Sequence, residues 1–254
     1  MQAPKEILNI YQRFDQLPME NLTKAWYYTR TQGAKQRSVE LMREHRAELG
    51  LSGNCFDLAI WLLDEFQREG LKAYGVGHHL HTEEAHVAVV VLDEKGRRYL
   101  CDLGDQWLQP ILLDQYYPDF NPDPLPGFFP AALVQVVPGT EQCLIRYHRP
   151  NGKISQQSFE LRPVELPELI AAGEVSQNTL GEPLVEMRVS HHQEIAHWEF
   201  YNFKSWLSTT QGLFHDPSAE DPVGWAERIE ARTGMNVTVV QASLELYANL
   251  RRDT

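Results

Sequence analysis

The sequence predicts an α+β fold in which an N-terminal helical bundle, a central antiparallel β region and a mixed C-terminal region follow one another. Two observations carry this prediction. The spacing of apolar residues changes from about 3.6 to about 2 near Leu71, which marks a change from helix to strand. Turn-forming segments then separate short strands as far as residue 165, after which helix and strand patterns mix. We therefore divide the 254 residues into regions 1–70, 71–165 and 166–254.

The first region contains three helical patterns. EILNIYQRF has helical spacing, and residues 23–49 form a long mixture of polar and apolar residues. A third helix begins near Cys55 and is ended by Gly70. Its apolar stripe consists of Phe56, Ala59, Ile60, Leu63 and Phe66.

The central region reads as a small antiparallel barrel or a strongly curved sheet. Turn sequences such as EKG and RPNGK separate the predicted strands. The proline-rich stretch 114–130 is predicted to be a long ordered loop. The strands are predicted in KAYGVGHHL, HVAVVVLD, RRYLCDLG, ALVQVVP, CLIRYHR and ISQQSFEL.

The third region combines helix and strand signals. We expect helices in LPELIAAGE and DPVGWAERIEARTG, and strands in LVEMRV and MNVTVVQ. Between them, His191, His192 and His197 accompany four aromatic residues, a pattern that we interpret as a half-buried aromatic helix or loop that could border a cleft.

Composition limits the classes of partner and location. The formal net charge is −12, and a negative surface repels phosphate, so we expect neither nucleic acid nor an anionic membrane as a partner. The longest apolar run, VAVVVL, is far too short to span a bilayer. Three cysteines with no CxxC pair favour free thiols in a reducing compartment, which predicts a cytoplasmic protein.

Cys55 is the candidate nucleophile. Ser52 or Asn54 can cap the helix that follows, and Gly53 permits a tight turn, so Cys55 is predicted in the first helical turn. The helix dipole and free N–H groups at that position favour a thiolate, the nucleophilic form of cysteine. Buried structural cysteines are common, however, so position alone does not establish a catalytic role.

His86 and Asp102 are the candidate partners of this thiol. Each is a polar interruption of an apolar strand, and a hairpin that turns near Lys95 would pair position 86 with about 104 and position 88 with about 102. His86 and Asp102 would then be diagonal neighbours on one face. A thiolate, an imidazole that moves the proton and a carboxylate that orients the imidazole form the set that acyl transfer requires.

Four short segments resemble the arylamine N-acetyltransferases. They are LPMENLT at 17–23, Gly53-Asn54-Cys55-Phe56-Asp57-Leu58, the strand that His86 opens, and Asp102-Leu103-Gly104. The sequence resemblance covers residues 1 to about 115. Over the remaining residues only the predicted architecture is similar. It implies a helical bundle bearing the cysteine, a β-barrel bearing the histidine and aspartate, and a C-terminal α/β lid.

The resemblance also implies a reaction. Cys55 would take an acetyl group from acetyl-CoA and pass it to an arylamine or hydrazine in a ping-pong cycle, without a metal. Two alternatives stay open, a transglutaminase-like amidase or peptidase with the same triad and a silent or CoA-independent relative. The family usually has Arg-Gly-Gly before the cysteine, whereas this chain has Leu51-Ser52-Gly53-Asn54, so the arginine contact is expected to be missing or replaced.

Other conspicuous residues are interpreted as structural. In HHLH, His79 and His81 would share one face of a strand, without the spacing of a zinc site. The segment YGVGHH lacks the third glycine of a dinucleotide-binding loop. Glu20 is expected to anchor the helical bundle, and Cys101 is expected in the barrel core.

Overall fold

The computed structural model describes residues 2–252, which form helices, a barrel and a second sheet. The predicted α+β class, with N-terminal helices, an antiparallel barrel and a C-terminal α/β lid, is confirmed. The α-helices of the described residues are α1 (Lys5–Tyr11), α2 (Leu22–Tyr28), α3 (Val39–Leu49), α4 (Cys55–Arg68), α5 (Leu166–Asn178), α6 (Pro222–Thr233) and α7 (Val237–Arg252). None of these helices combines the length and the apolar character that a membrane crossing requires.

The barrel is an eight-stranded, nearly closed antiparallel sheet with the strand order β5-β4-β3-β2-β9-β8-β7-β6. Its strands are β2 (Ala73–His78), β3 (His86–Leu92), β4 (Arg98–Cys101), β5 (Ile111–Leu112), β6 (Leu125–Phe129), β7 (Ala132–Val137), β8 (Gln142–His148) and β9 (Ile154–Val164). The predicted hairpin register is confirmed, because Val89 pairs with Cys101, which aligns position 88 with 102 and position 86 with 104.

The second sheet joins the two ends of the chain. Its order is β1-β10-β11-β12-β13, so that β1, from the segment before α2, pairs with β10 and extends the C-terminal sheet. The five strands are β1 (Met19–Glu20), β10 (Leu184–His191), β11 (Glu194–Tyr201), β12 (Lys204–Thr209) and β13 (Gly212–His215).

Two predictions for the C-terminal region are wrong. The segment MNVTVVQ starts α7 rather than a strand, because the Asn236 side chain caps it by accepting hydrogen bonds from Thr238 and Val239 N–H. The helix continues beyond this segment and buries Val240, Leu244 and Tyr247. Their helical spacing is visible only over a stretch longer than the seven residues MNVTVVQ. The histidine-rich aromatic stretch is neither helix nor loop but the β10–β11 hairpin.

Two predictions for the barrel region also need correction. The proline-rich stretch 114–130 ends in β6, where Pro126 is tolerated because β6 lies at the edge of the sheet. Strand β2 ends at His78, and His79 and His81 follow in a turn with positive φ angles of 50° and 68°. These two histidines therefore do not share the face of a strand.

The interior contains two hydrophobic clusters. The larger packs α1, α3 and α4 against the barrel, and it buries the predicted stripe of α4 as well as Cys101. The smaller lies between the C-terminal sheet and helices α2, α6 and α7. The division at residues 70 and 165 stays a prediction.

Candidate active site

Helix α4 begins with an Asn54 cap, which places Cys55 at its first position. The Asn54 side chain accepts hydrogen bonds from Phe56 N–H and Asp57 N–H, at 3.1 and 3.2 Å. Asp57 returns a contact to Asn54 N–H at 3.3 Å, which completes a capping box. Ser52 is not the cap, because its hydroxyl donates to the Pro18 carbonyl. Cys55 is partly exposed at a helix N-terminus, where the peptide dipoles favour negative charge.

An arginine does lie beside the turn before Cys55, but it comes from another part of the chain. Arg37, from the loop before α3, places Nη2 3.1 Å from Asp57 Oδ2 and 2.7 Å from the Ser52 carbonyl oxygen. Both charged side chains are 1% exposed. A Cβ at Gly53 would lie 2.1 Å from Asp57 Oδ2 and 2.5 Å from Arg37 Nη2, so glycine is required there. An arginine thus contacts the turn before Cys55, although it does not come from the residues directly before the cysteine.

The Asp57 carboxylate is the centre of a buried polar cluster that we call the Asp57 network. Gln36 and Gln177 donate to its two oxygens at 2.9 and 3.0 Å. Arg37 also contacts Nδ1 of His45, whose pKa is lowered by burial and by the Arg37 charge, so the neutral ring accepts this hydrogen bond. The members of the Asp57 network are Gln36, Arg37, His45, Asn54, Asp57 and Gln177.

His86 and Asp102 meet as the hairpin register predicts. Nε2 of His86 lies 2.9 Å from Oδ2 of Asp102, and the Asp102 side chain is fully buried. The other carboxylate oxygen of Asp102 accepts a hydrogen bond from Asp105 N–H at 3.0 Å.

The Glu20 carboxylate is a separate buried group near the start of the chain. It accepts hydrogen bonds from Thr23 and Ser52, which fits the structural role expected for it.

Gly104 shows how closely the three predicted residues approach one another. A Cβ added there would lie 2.7 Å from His86 Cε1, 2.8 Å from Cys55 Cβ and 3.2 Å from Asp102 Oδ1. The Cys55 side chain is also close enough to the His86 imidazole to raise its pKa, and Nε2 of that ring is engaged with Asp102. The structure thus brings all three predicted residues together.

The surroundings of His86 determine its charge. Burial alone would lower the pKa of His86, but the Asp102 carboxylate and the hydrogen bonds with Asp102 and Cys55 raise it well above its ordinary value. The ring stacks on His78, with centroids 5.9 Å apart, and meets the edge of Phe159 at 5.8 Å. Burial lowers the pKa of His78, so the two stacked rings do not both carry a charge.

A polar chain behind Asp102 was missed in the sequence. Trp107 Nε1–H donates to the Tyr147 hydroxyl at 3.0 Å, and that hydroxyl donates to the Asp105 carboxylate. Burial and the Asp102 charge raise the pKa of Asp105 from its ordinary 3.8 to about 6. The position of Asp105, three residues after Asp102, could have indicated its role from the sequence. No nearby sequence feature indicates that Tyr147, from β8, contacts it.

The other two cysteines are poor nucleophiles. Cys101 and Cys143 are buried, and burial raises the pKa of Cys101 well above its ordinary value and that of Cys143 to about 12. A thiol with such a pKa is almost entirely protonated at neutral pH. Cys55 is therefore the cysteine available for covalent chemistry.

A cavity of about 780 Å³ lies between the barrel and the C-terminal sheet. Its walls include His78 and Asp105, which contact His86 and Asp102 respectively, although Cys55 and His86 do not line it. The opposite wall is formed by β10, β11 and β12. We call the set Glu186, His197 and Glu199 on that wall the cavity face.

One cluster in the described part of the chain has the geometry of metal ligands. The ligand atoms of His86, Asp102 and Asp105 lie within 4.8 Å of one another. Each of these groups also has a hydrogen-bond partner within the protein. His79 and His81 do not belong to this cluster, and the prediction of a metal-free site stays a prediction.

Comparisons with known proteins address the fold. No protein-family model and no curated protein matches the chain. Among solved structures, an arylamine N-acetyltransferase from Mycobacterium smegmatis is similar with a TM-score of 0.71 and 12% identity, covering 95% of this chain and 92% of that one. The Mycobacterium marinum arylamine N-acetyltransferase in complex with CoA has a TM-score of 0.72 and 11% identity, covering 94% and 90%.

A third structure adds a different triad. The arylamine N-acetyltransferase NAT3 from Bacillus cereus, described with a Cys-His-Glu catalytic triad, has a TM-score of 0.64 and 13% identity, covering 92% of each chain. At these identities the similarity establishes the fold. The chain has the arylamine N-acetyltransferase fold over nearly its whole length.

Proposed function

We propose that this chain is a divergent member of the arylamine N-acetyltransferase family, an acyltransferase that moves an acetyl group from acetyl-CoA to an arylamine or hydrazine. The observation that carries the proposal is the contact set of Cys55, His86 and Asp102 at the start of α4, with His86 Nε2 2.9 Å from Asp102 Oδ2. The CoA complex of a structurally similar protein supports acetyl-CoA as the donor substrate. A cytoplasmic location stays a prediction from cysteine usage.

In the first half of the cycle, Cys55 takes the acetyl group. Its thiolate attacks the carbonyl carbon of the acetyl-CoA thioester, a new C–S bond forms, and the CoA thiolate leaves with a proton from the His86 imidazolium. The raised pKa of His86 suits this role, because the ring is charged before the reaction and can pair with the Cys55 thiolate. Asp102 orients the imidazole through the 2.9 Å contact with Nε2.

In the second half, the acceptor amine attacks the acetyl-thioester on Cys55. As the new C–N bond forms, His86, now neutral, takes a proton from the attacking nitrogen. The C–S bond to Cys55 then breaks, the amide leaves, and the Cys55 thiolate and the His86 imidazolium are restored. Gly104 leaves the space in which the thioester carbonyl must lie, since any side chain there would collide with both Cys55 and His86.

The experiment is intact-mass measurement after incubation with acetyl-CoA and no acceptor. We expect one added acetyl group on the wild type and none on Cys55→Ala. Asp102→Asn should slow acetylation by about 10³- to 10⁴-fold, because the amide stabilises the wrong imidazole tautomer. The matched control is Asp123→Asn, which removes one carboxylate from an exposed loop and should acetylate at the wild-type rate.

Two outcomes would replace this proposal. If no adduct forms while the protein hydrolyses simple amides or peptides, the transglutaminase-like amidase reading takes its place. If neither reaction occurs although Cys55 is readily alkylated, the site is that of a CoA-independent or silent relative. Release of free CoA thiol, followed with a panel of aromatic amines and hydrazines, then identifies the acceptor class.

A further inference from the structure

The cavity face carries two carboxylates directly opposite each other. Glu186 on β10 pairs with Glu199 on β11, while the residues on the reverse side of these strands, such as Met187 and Trp198, enter the smaller hydrophobic cluster. Like charges in directly opposed positions destabilise a sheet. Burial and the neighbouring carboxylate raise the pKa of Glu186 well above its ordinary value. Ionising both members of this pair is therefore unfavourable unless a cation lies beside them.

His197 lies on the same face as these carboxylates, and its ring contacts the Phe129 ring of β6, with centroids 5.5 Å apart. It is 5% exposed and lines the cavity, and its Nε2 has no hydrogen-bond partner. The distance from His197 Nε2 to Glu186 Oε2 is 3.9 Å, too long for a hydrogen bond. Burial and the nearby Arg149 and Arg188 charges lower the pKa of His197 to about 3, so the ring is neutral.

The carboxyl groups of the cavity suit a cationic occupant, because a cation bound among them would stabilise their ionised forms. Three carboxyl groups line the cavity, from Asp105, Glu186 and Glu199, and Arg149 and Lys153 line it as well. The Arg149 guanidinium is held over the rings of Phe129 and Tyr147, at 4.9 and 5.8 Å. His197 Nε2 and the carboxylate oxygens of the cavity face can accept hydrogen bonds from a group with several N–H donors.

We infer that Glu186, Glu199 and His197 form a subsite that binds an ammonium group on the acceptor, at the end away from the amine that is acetylated. The role as an acceptor subsite rests on the proposed function. The cavity is adjacent to the triad, because its wall includes Asp105, which donates to Asp102, and His78, which stacks on His86. An aromatic diamine with one neutral aniline nitrogen and one cationic nitrogen meets both requirements.

The test is a binding measurement on the full chain without acetyl-CoA, so that it does not depend on catalysis. The probes are 4-(aminomethyl)aniline, which carries an ammonium group, and 4-methylaniline, which has the same ring and no charge. By titration calorimetry we expect the cationic probe to bind about tenfold more tightly than the neutral one, because charge-assisted hydrogen bonds form only with the former. Equal affinities for the wild type would overturn the subsite.

Two variants test which residues cause the tighter binding of the cationic probe. In Glu186→Gln/Glu199→Gln the cationic probe should lose its advantage, whereas the exposed control Glu220→Gln should retain it. Gln keeps the size of each side chain and removes the opposed charges, and circular dichroism verifies folding. Retention of the preference in the double variant would overturn the assignment to these residues.

A second measurement separates this inference from the proposed function. The acetyl-enzyme is prepared with acetyl-CoA, and its loss of the acetyl group is followed by mass with each probe. Faster acetyl transfer to the cationic probe in the wild type, and not in the double variant, supports the acceptor subsite. If no acetyl-enzyme forms while the binding preference persists, the proposed function fails and the cationic subsite stands.

Discussion

The Asp57 network and the cavity face are both polar clusters near the same triad, and they differ in how completely their hydrogen bonds are made. Asp57 forms an ion pair with Arg37 and accepts hydrogen bonds from Gln36 and Gln177. Among the described residues, no buried polar atom of the network lacks a hydrogen-bond partner. On the cavity face, His197 Nε2 is unpartnered and Glu186 opposes Glu199.

The difference indicates two roles. A fully satisfied buried network restricts the geometry of the segment that it holds, here the turn before Cys55. A buried group without a partner costs free energy, and its retention points to a partner that arrives from outside. The Asp57 network therefore holds the turn before Cys55, and the unpartnered cavity face is where we infer that a ligand binds.

Breaking the Asp57 network should have the largest effect. Arg37→Met leaves the Asp57 carboxylate buried without its cation, and we expect the free energy of unfolding to fall by about 3–5 kcal/mol. Urea unfolding followed by circular dichroism measures this. The control Arg68→Met removes a 57%-exposed arginine that pairs with Asp64, and should cost less than about 1 kcal/mol. Similar losses in both variants would contradict the supporting role of Arg37.

Crowding the triad should be the next largest effect. Gly104→Ala forces Cys55 and His86 apart, because its Cβ would lie within 2.8 Å of both, and we expect the acetylation rate of Cys55 to fall about 10²-fold. Quenched-flow mass measurement gives the rate. Gly181→Ala is the control, since a Cβ there meets nothing within 4 Å. An unchanged rate in Gly104→Ala would show that the triad can relax around a methyl group.

Asp105 should make stability depend on pH. Its folded pKa of about 6 lies above the ordinary 3.8, so the stabilisation of the protonated carboxyl is complete below pH 3.8 and is lost as the pH rises through 6. Asp105→Asn does not titrate. The free energy of unfolding of Asp105→Asn, relative to that of the wild type, should therefore increase from pH 3.8 to about pH 6 and level off at higher pH.

Urea unfolding at a series of pH values measures this difference. The exposed control Asp123→Asn should show little dependence over the same interval, since its carboxylate lies on the surface. A flat difference for Asp105→Asn would mean that the carboxyl keeps an ordinary pKa.

The cavity face should give the smallest effect, with the opposite sign. Glu186→Gln/Glu199→Gln removes opposed carboxylates, so at mildly alkaline pH we expect the free energy of unfolding to rise by up to about 1 kcal/mol. Chemical unfolding beside the control Glu220→Gln measures it. A large loss of stability would mean that Glu186 and Glu199 stabilise the fold, as the Asp57 network does, and that the two regions do not differ in role.

The helix start at Cys55 and the contact of His86 with Asp102 were predictable because they depend on local patterns, whereas the approach of Cys55 to His86 depends on the packing of α4 against the barrel. Asn54 and Asp57 form a capping box over three residues, and the turn near Lys95 determines the register that aligns His86 and Asp102. The strand predicted at MNVTVVQ was wrong because a short β-branched run has strand propensity, while the Asn236 cap and packing further along the chain favour α7.

By itself, then, the sequence determined the α+β order of elements, the helix start at Cys55 and the strand positions of His86 and Asp102, since each depends on residues a few positions apart or on one hairpin. The tertiary structure alone decided that Arg37 reaches the turn before Cys55, that Gln177 reaches Asp57, and that Tyr147 supports Asp105. It also decided that β10 and β11 face the barrel across a cavity. Such contacts join segments far apart in the chain, and their partners are chosen by packing and hydrogen-bond satisfaction in three dimensions, which leave no periodic trace in the sequence.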